Sequence, residues 1–232
     1  MNRFRSIVIA GLAMLIIAGT AWAQQGNGQG GPGSGNEMAG MDVVIQGIPS
    51  APLSAAERAG LIYMYEEEKL ARDVYNALYD KWKLPVFRNI ASSEETHMES
   101  IALLLDRYGI PYPVRADAIG VFTDPALKKL YADLTAAGKK SLAAGLNTGA
   151  LIEDLDIYDL LKRIAESDND DIRVVYQNLA KGSRNHLRSF AGQLARYNAA
   201  FAPSYITRDY FNRIVGSPRE TASLITDPAY VF

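Results

Sequence analysis

No cysteine occurs anywhere in the 232 residues. That excludes a disulfide framework, a lipid-modified N-terminal cysteine and any cysteine-ligated iron–sulfur or rubredoxin-type centre within the chain. Histidine is almost as scarce, with only His97 and His186. An excess of either charge is lacking too: a formal net charge of -2 and a pI near 5.8 leave no basic field for nucleic acid or anionic lipid. What is present is ordinary globular usage, 48% hydrophobic and 22% charged, in a length that suits one large domain.

The first residues read as a targeting segment. Arg3 and Arg5 form a positive n-region, Ile7 to Ile17 is an apolar run of signal-peptide length, and Ala21-Trp22-Ala23 supplies the small residues of a cleavage site. Residues 1–23 are therefore expected to be a signal peptide. Its removal would take the net charge from -2 to -4 and send the protein to the periplasm or outside the cell, with no stable membrane anchor. Residues 24–50, rich in Gly, Gln, Asn and Ser at their start, read as a flexible linker.

Residues 51–200 carry helical periodicity. Ser54-Ala55-Ala56-Glu57 is a capping box, and the helix it starts runs to about Trp82 with the stripe Leu61, Met64, Glu68, Ala71, Tyr75 and Leu78. Glu68 thus lies on the apolar face as the inward carboxylate, with Glu67 as the alternative, while the other members of the Glu66-Glu67-Glu68 run are expected on its flanks or in solvent. A second helix ends at Gly109, with Ile90, Ile101, Leu104 and Leu105 inward. A long crossover follows, with its own short helix from Asp124-Pro125 to about Gly138. Such a link lets the second and third long helices run parallel. The third long helix spans Leu142 to Glu166 with Glu153 and Asp156 inward, and the fourth runs to about Asn198 with Tyr176, Leu179, Ser183, His186, Phe190, Leu194 and Tyr197 as its buried line. Residues 201–232 have enough apolar groups to pack on the bundle as an extension.

Chemistry enters with Glu94-Glu95-Thr96-His97. Glu94 and His97 share a helix face at a spacing of three. Alone, such a pair reads as an exposed acid and a solvated histidine. Its company alters that, because each of the four long helices offers a metal-capable side chain on its inward stripe: Glu68; Glu94 and His97; Glu153 and Asp156; His186. Four carboxylates and two imidazoles match the ligand count of a carboxylate-bridged dinuclear site and suit iron or manganese, with zinc as an alternative. Without a cation, four buried carboxylates would repel one another; two divalent ions balance them.

Glu68-x-x-Ala71-Arg72-x-x-Tyr75, Glu94-x-x-His97, Glu153 with Asp156, and His186 within Gly182-Ser183-Arg184-Asn185-His186-Leu187 carry a resemblance. From about Ser54 to Asn198 the chain resembles the ferritin-like di-iron four-helix bundles, rubrerythrins especially, and is most similar to the ferritin-like family catalogued as domain of unknown function 2202. The resemblance implies an all-α, up-down-down-up four-helix bundle holding two iron ions. It implies Glu94 and Glu153 as bridging ligands, Glu68, His97, Asp156 and His186 as terminal ligands, and Tyr75 as a hydrogen-bond partner of a ligand. One position departs: the family's second E-x-x-H would need Glu where Ser183 stands. Either Asp156 replaces that carboxylate, or one metal is under-coordinated. The expected function is an exported dinuclear metal protein with ferroxidase or peroxidase-type oxidoreductase activity. Its partners would be metal ions, O2 or peroxide and an external electron donor, and a homodimer is compatible with it. The alternatives are a non-catalytic metal-binding or stress-related module and a structural bundle with a degenerate site.

Overall fold

The computed structural model describes residues 38–232 apart from Ala222; the expected signal peptide and most of the expected linker lie outside them. The described residues form seven helices and no strand: α1 Met41–Gly47, α2 Ala55–Trp82, α3 Pro85–Arg107, α4 Pro125–Gly138, α5 Leu142–Glu166, α6 Asp170–Arg196 and α7 Arg208–Gly216. None of them is long and apolar enough to cross a membrane.

The four long helices α2, α3, α5 and α6 form a bundle in which α2 packs on α3 and α5, and α6 packs on α5 and α3. Local signals set their ends. Ser54 accepts from the Glu57 amide while Glu57 accepts from the Ser54 amide, closing the capping box of α2. Asp124 caps α4 ahead of Pro125 at its first turn. At the end of α3, Gly109 adopts φ +60°, a conformation that favours glycine.

The core is not continuous. One apolar cluster holds Tyr75, Leu78, Phe87, Leu146 and Phe190, and a second holds Leu61, Met64, Ile101, Leu160 and Tyr176. Between them every long helix contributes buried polar residues: 66–69 on α2, Ser93, Glu94 and His97 on α3, Glu153, Asp154 and Asp156 on α5, and 183–186 on α6. Chain order adds direction. Helices α2 and α6 run from the second cluster to the first, whereas α3 runs from the first to the second and α5 from the first towards Leu160 in the second.

Three expectations need correction. Residues 41–47, within the span read as linker, form α1, which buries Met41 and Ile45; Arg107 fixes it by donating to the Ile45 carbonyl at 2.7 Å. Glu66 and Glu67, expected on flanks or in solvent, are 1% and 2% exposed. Glu66 accepts from Thr123 N, Thr123 Oγ1 and Asp124 N, so the crossover, and not water, solvates it. Tyr197, read as buried, is exposed.

Charged side chains of α2 also fasten the rest of the crossover. Lys69 donates to Asp73 at 2.7 Å and to the Ala118 carbonyl at 2.6 Å, and Asp73 accepts from Gly120 N. Glu57 ties the opposite end: Oε1 accepts from Ser167 Oγ at 2.7 Å, from the amides of Asp168 and Asn169, and from Asn169 Nδ2 at 2.9 Å. Burial alone would raise the Glu57 carboxyl, but bonds from Asn169, Ser54 and Ser167 outweigh it and hold it at about 2 against an ordinary 4.5. The stabilisation this group provides is full above its ordinary value and is lost as pH falls through about 2. Glu57→Gln is expected to destabilise the fold by roughly 2 kcal/mol at pH 7, with the gap to wild type shrinking between pH 4.5 and 2. Urea unfolding at a series of pH values checks this.

Candidate metal centre

The polar layer brings His97 and His186 face to face from α3 and α6, rings stacked with centroids 5.5 Å apart and planes at 26°. Glu94 lies between them. Its Oε2 is 2.8 Å from His97 Nδ1, and its Oε1 is 3.1 Å from His186 Nδ1. From α2, Glu68 Oε2 approaches His97 Nδ1 at 3.2 Å; from α5, Glu153 Oε2 approaches His186 Nδ1 at 3.4 Å. Two sets thus form, Glu68–Glu94–His97 and Glu94–Glu153–His186, each with its donor atoms within 4.8 Å of one another and with Glu94 in both. All five residues are buried.

Asp156 stands beside these sets and belongs to neither. Its Oδ2 accepts from Ser183 Oγ at 2.5 Å, while Oδ1 receives no hydrogen bond. Ser183, at the place where the resemblance would put a glutamate, therefore holds an aspartate from the facing helix. The Tyr75 hydroxyl lies 2.5 Å from Glu153 Oε1 and 3.3 Å from the Gly149 carbonyl.

Two further residues shape the site: Ser93, which the sequence reading missed, and Gly182, which it quoted in a motif without a role. Ser93 Oγ lies 3.0 Å from His186 Nε2, so the ring's Nδ1 edge is the one turned to the carboxylates. Its spacing of four from His97 was the available signal. Gly182 is the second. A Cβ there would fall 2.4 Å from His97 Nε2, so the imidazole uses space that only glycine leaves.

Electrostatics follow from burial opposed by close opposite charges. Burial raises Glu94, but His186 and His97 outweigh it and hold the carboxyl below its ordinary range. Burial lowers both imidazoles, and again the partners win: Glu68 and Glu94 keep His97 well above its usual value, while Glu94 and Glu153 lift His186 to about 10. Glu68 and Glu153 are each pushed up to about 7, chiefly by burial, with His97 pulling Glu68 back and Glu94 adding repulsion at Glu153. Asp156 is raised well above its ordinary value by burial and by Glu68, Glu67 and Glu153.

Around the two imidazoles, the raised Glu68, Glu153 and Asp156 thus mark more acid than the two rings can balance. Glu68 Oε1, Glu94 Oε1, His97 Nε2, His186 Nδ1 and Asp156 Oδ1 are buried without a hydrogen-bond partner. Atoms of this kind are costly unless something neutralises them. Hard carboxylate oxygens with imidazole nitrogen form a donor set that fits divalent iron, manganese or zinc, and the buried Glu and His groups could hold a metal ion.

Residues 57–218 match the family described as "Uncharacterized protein domain (DUF2202)". The uncharacterized protein MJ0754 of Methanocaldococcus jannaschii is 51% identical over 176 residues, which cover 76% of this chain and 95% of that protein. The crystal structure of hypothetical protein MJ0754 superimposes with a TM-score of 0.73, covering 75% of this chain and 99% of that one.

Two glycines of α6 test the packing. Gly182→Ala must displace His97 and is expected to destabilise the fold by about 1–3 kcal/mol. Gly192 is exposed with nothing near its absent Cβ, so Gly192→Ala should stabilise by about 0.5–1 kcal/mol. Denaturant unfolding of both variants gives the comparison; equal effects would contradict the described fit.

Proposed function

The chain belongs to the DUF2202 family, and from that premise we propose that it is an exported ferritin-like protein holding a dinuclear metal centre, with iron as the resident metal. One observation carries the reading: a single buried carboxylate, Glu94, divides its two oxygens between two imidazoles, each of which also meets a second carboxylate. A bridging carboxylate has this disposition. Glu68 and His97 would complete one metal position, and Glu153 and His186 the other; the donor atoms of each set lie within 4.8 Å of one another. The order in which the four long helices cross the two apolar clusters supports the up-down-down-up topology expected of a ferritin-like bundle. The targeting pattern of residues 1–23 supports export.

The protein's own contributions are definable. Ser93 turns His186 so that Nδ1 faces inward, and Tyr75 fixes Glu153 through Oε1 and leaves Oε2 towards His186. Ser183 positions Asp156 so that its charge lies beside the centre. Leu61, Met64, Tyr75 and Phe190, all fully buried, exclude water from both ends. A bound pair of iron ions would supply two-electron chemistry towards O2 or peroxide, which supports a ferroxidase or peroxidase-type activity.

Two measurements test the proposal. Equilibrium dialysis of the metal-free chain against Fe(II) under anaerobic conditions should give two ions per chain. Glu94→Ala should lose at least one of them, whereas Glu95→Ala, whose half-exposed side chain pairs with Arg72, should keep both. Admission of O2 or peroxide should then consume chelatable Fe(II) faster than the buffer does. Two bound ions with no such acceleration would leave a metal-binding module without turnover, and no bound ion would overturn the centre itself.

A further inference from the structure

Next to the centre a carboxylate is left over. Glu67 is 2% exposed, and neither of its oxygens receives a hydrogen bond. It is not among the residues that gather around the two imidazoles. An acid buried in this way weakens the fold unless another role keeps it.

Its surroundings suggest that role. On the outer side is Asp159 of α5, half-buried and close enough for its charge to act on both Glu67 and the Tyr63 hydroxyl. On the inner side are Glu68 and Asp156, whose charges act on Glu67 or are acted on by it. Asp156 and Asp159 are three apart on α5 and so share a face, and α2 packs directly on α5. Three carboxylates therefore step inward along the α2–α5 seam, from the partly exposed Asp159 through Glu67 to Asp156, whose Oδ1 is also unpartnered. Two positive groups act on the outer end, the exposed Lys162 on Asp159 alone and Arg163 on Glu67 as well. Arg163 is half-buried with its guanidinium over the Tyr63 ring at 4.6 Å, close enough to act on both Asp159 and Glu67, and its Nε has no acceptor.

We infer that Asp159, Glu67 and Asp156 form an entry path for divalent cations through the α2–α5 seam into the centre, with Arg163 as the counter-charge at its mouth. The inference rests on the dinuclear reading given above. Carboxylate oxygens exchange for the water that a divalent ion must shed on leaving solvent, so each step replaces hydration with a fixed ligand. Focusing by a run of one sign in low-dielectric walls raises local cation concentration and entry rate, by about 10- to 1,000-fold in known clefts. A guanidinium near the opening opposes entry until it moves aside.

Stopped-flow mixing of the metal-free full chain with cobalt(II) chloride, read by cobalt absorption, measures entry, and equilibrium dialysis against the same salt measures capacity. Glu67→Gln should slow uptake by about 10-fold or more while leaving the bound cobalt per chain at the wild-type number. Asp159→Asn should slow it less, because water still reaches that position. Arg163→Gln should take up cobalt at the wild-type rate or faster, which general damage to packing would not produce. Should Glu67→Gln fail to fold, the opposite responses of Asp159→Asn and Arg163→Gln carry the test. Wild-type uptake rates in Glu67→Gln, equal slowing in Arg163→Gln, or loss of bound cobalt in Glu67→Gln overturn the path and leave the centre intact. A wild-type chain that binds no cobalt overturns the centre, and the path with it.

Discussion

A carboxylate shared between two imidazoles at the middle of a four-helix core is the constraint around which this structure is arranged. Glu94 lies within 3.1 Å of both His97 and His186, and all three are removed from water. Such a group cannot be placed in a uniform apolar core, because desolvated charges need near neighbours of opposite sign. The core therefore splits into two apolar clusters with a polar layer between. Side chains that would otherwise be ordinary acquire tasks there: Ser93 and Tyr75 occupy the outer valences of His186 and Glu153, and Gly182 yields its side-chain volume to His97.

The layer is also uneven. About the line through Glu94, α2 and α3 contribute Glu68 with His97, and α5 and α6 contribute Glu153 with His186. The symmetric counterpart of Glu94 would be residue 183, where the chain has serine. The serine hydroxyl instead binds the carboxylate of Asp156 from the neighbouring helix, which lies outside both carboxylate–imidazole sets.

Much of this was legible in the sequence because it depends on local chemistry. Ser54 and Glu57, Asp124 with Pro125, and the Leu142–Glu166 period mark helix ends that the structure reproduces. The inward faces of Glu68, Glu94, His97, Glu153, Asp156 and His186 follow from the 3.6-residue period. Periodicity gives the face of a helix but not what stands opposite, and the errors share that cause. Glu66 looked solvent-bound because its partners, Thr123 and Asp124, lie beyond the rest of α2, all of α3 and a long connection. Met41 and Ile45 looked like linker because a seven-residue helix, about two turns, carries too short a pattern to stand out. That Asp156 would answer to Ser183 and not to an imidazole depends on the register of α5 against α6, which no single-helix pattern contains.

The segment after α7 returns along α6. Gln177 donates to the Pro228 carbonyl, Asn178 exchanges bonds with Ile225 through both its amide atoms, and Asn185 donates to the Glu220 carbonyl while accepting from the Glu220 amide. These contacts meet main-chain atoms, which every residue except proline presents alike, whereas Glu220 and Phe232 add side chains of their own, the carboxylate pairing with Arg184 and Arg188 and the ring lying beneath the same two guanidinium groups. The instruction for where this segment lies is therefore shared: the helix names the route, and two side chains of the segment pin it. The residues between them can drift while the route is kept, provided that Glu220, Phe232 and their partners on α6 do not change.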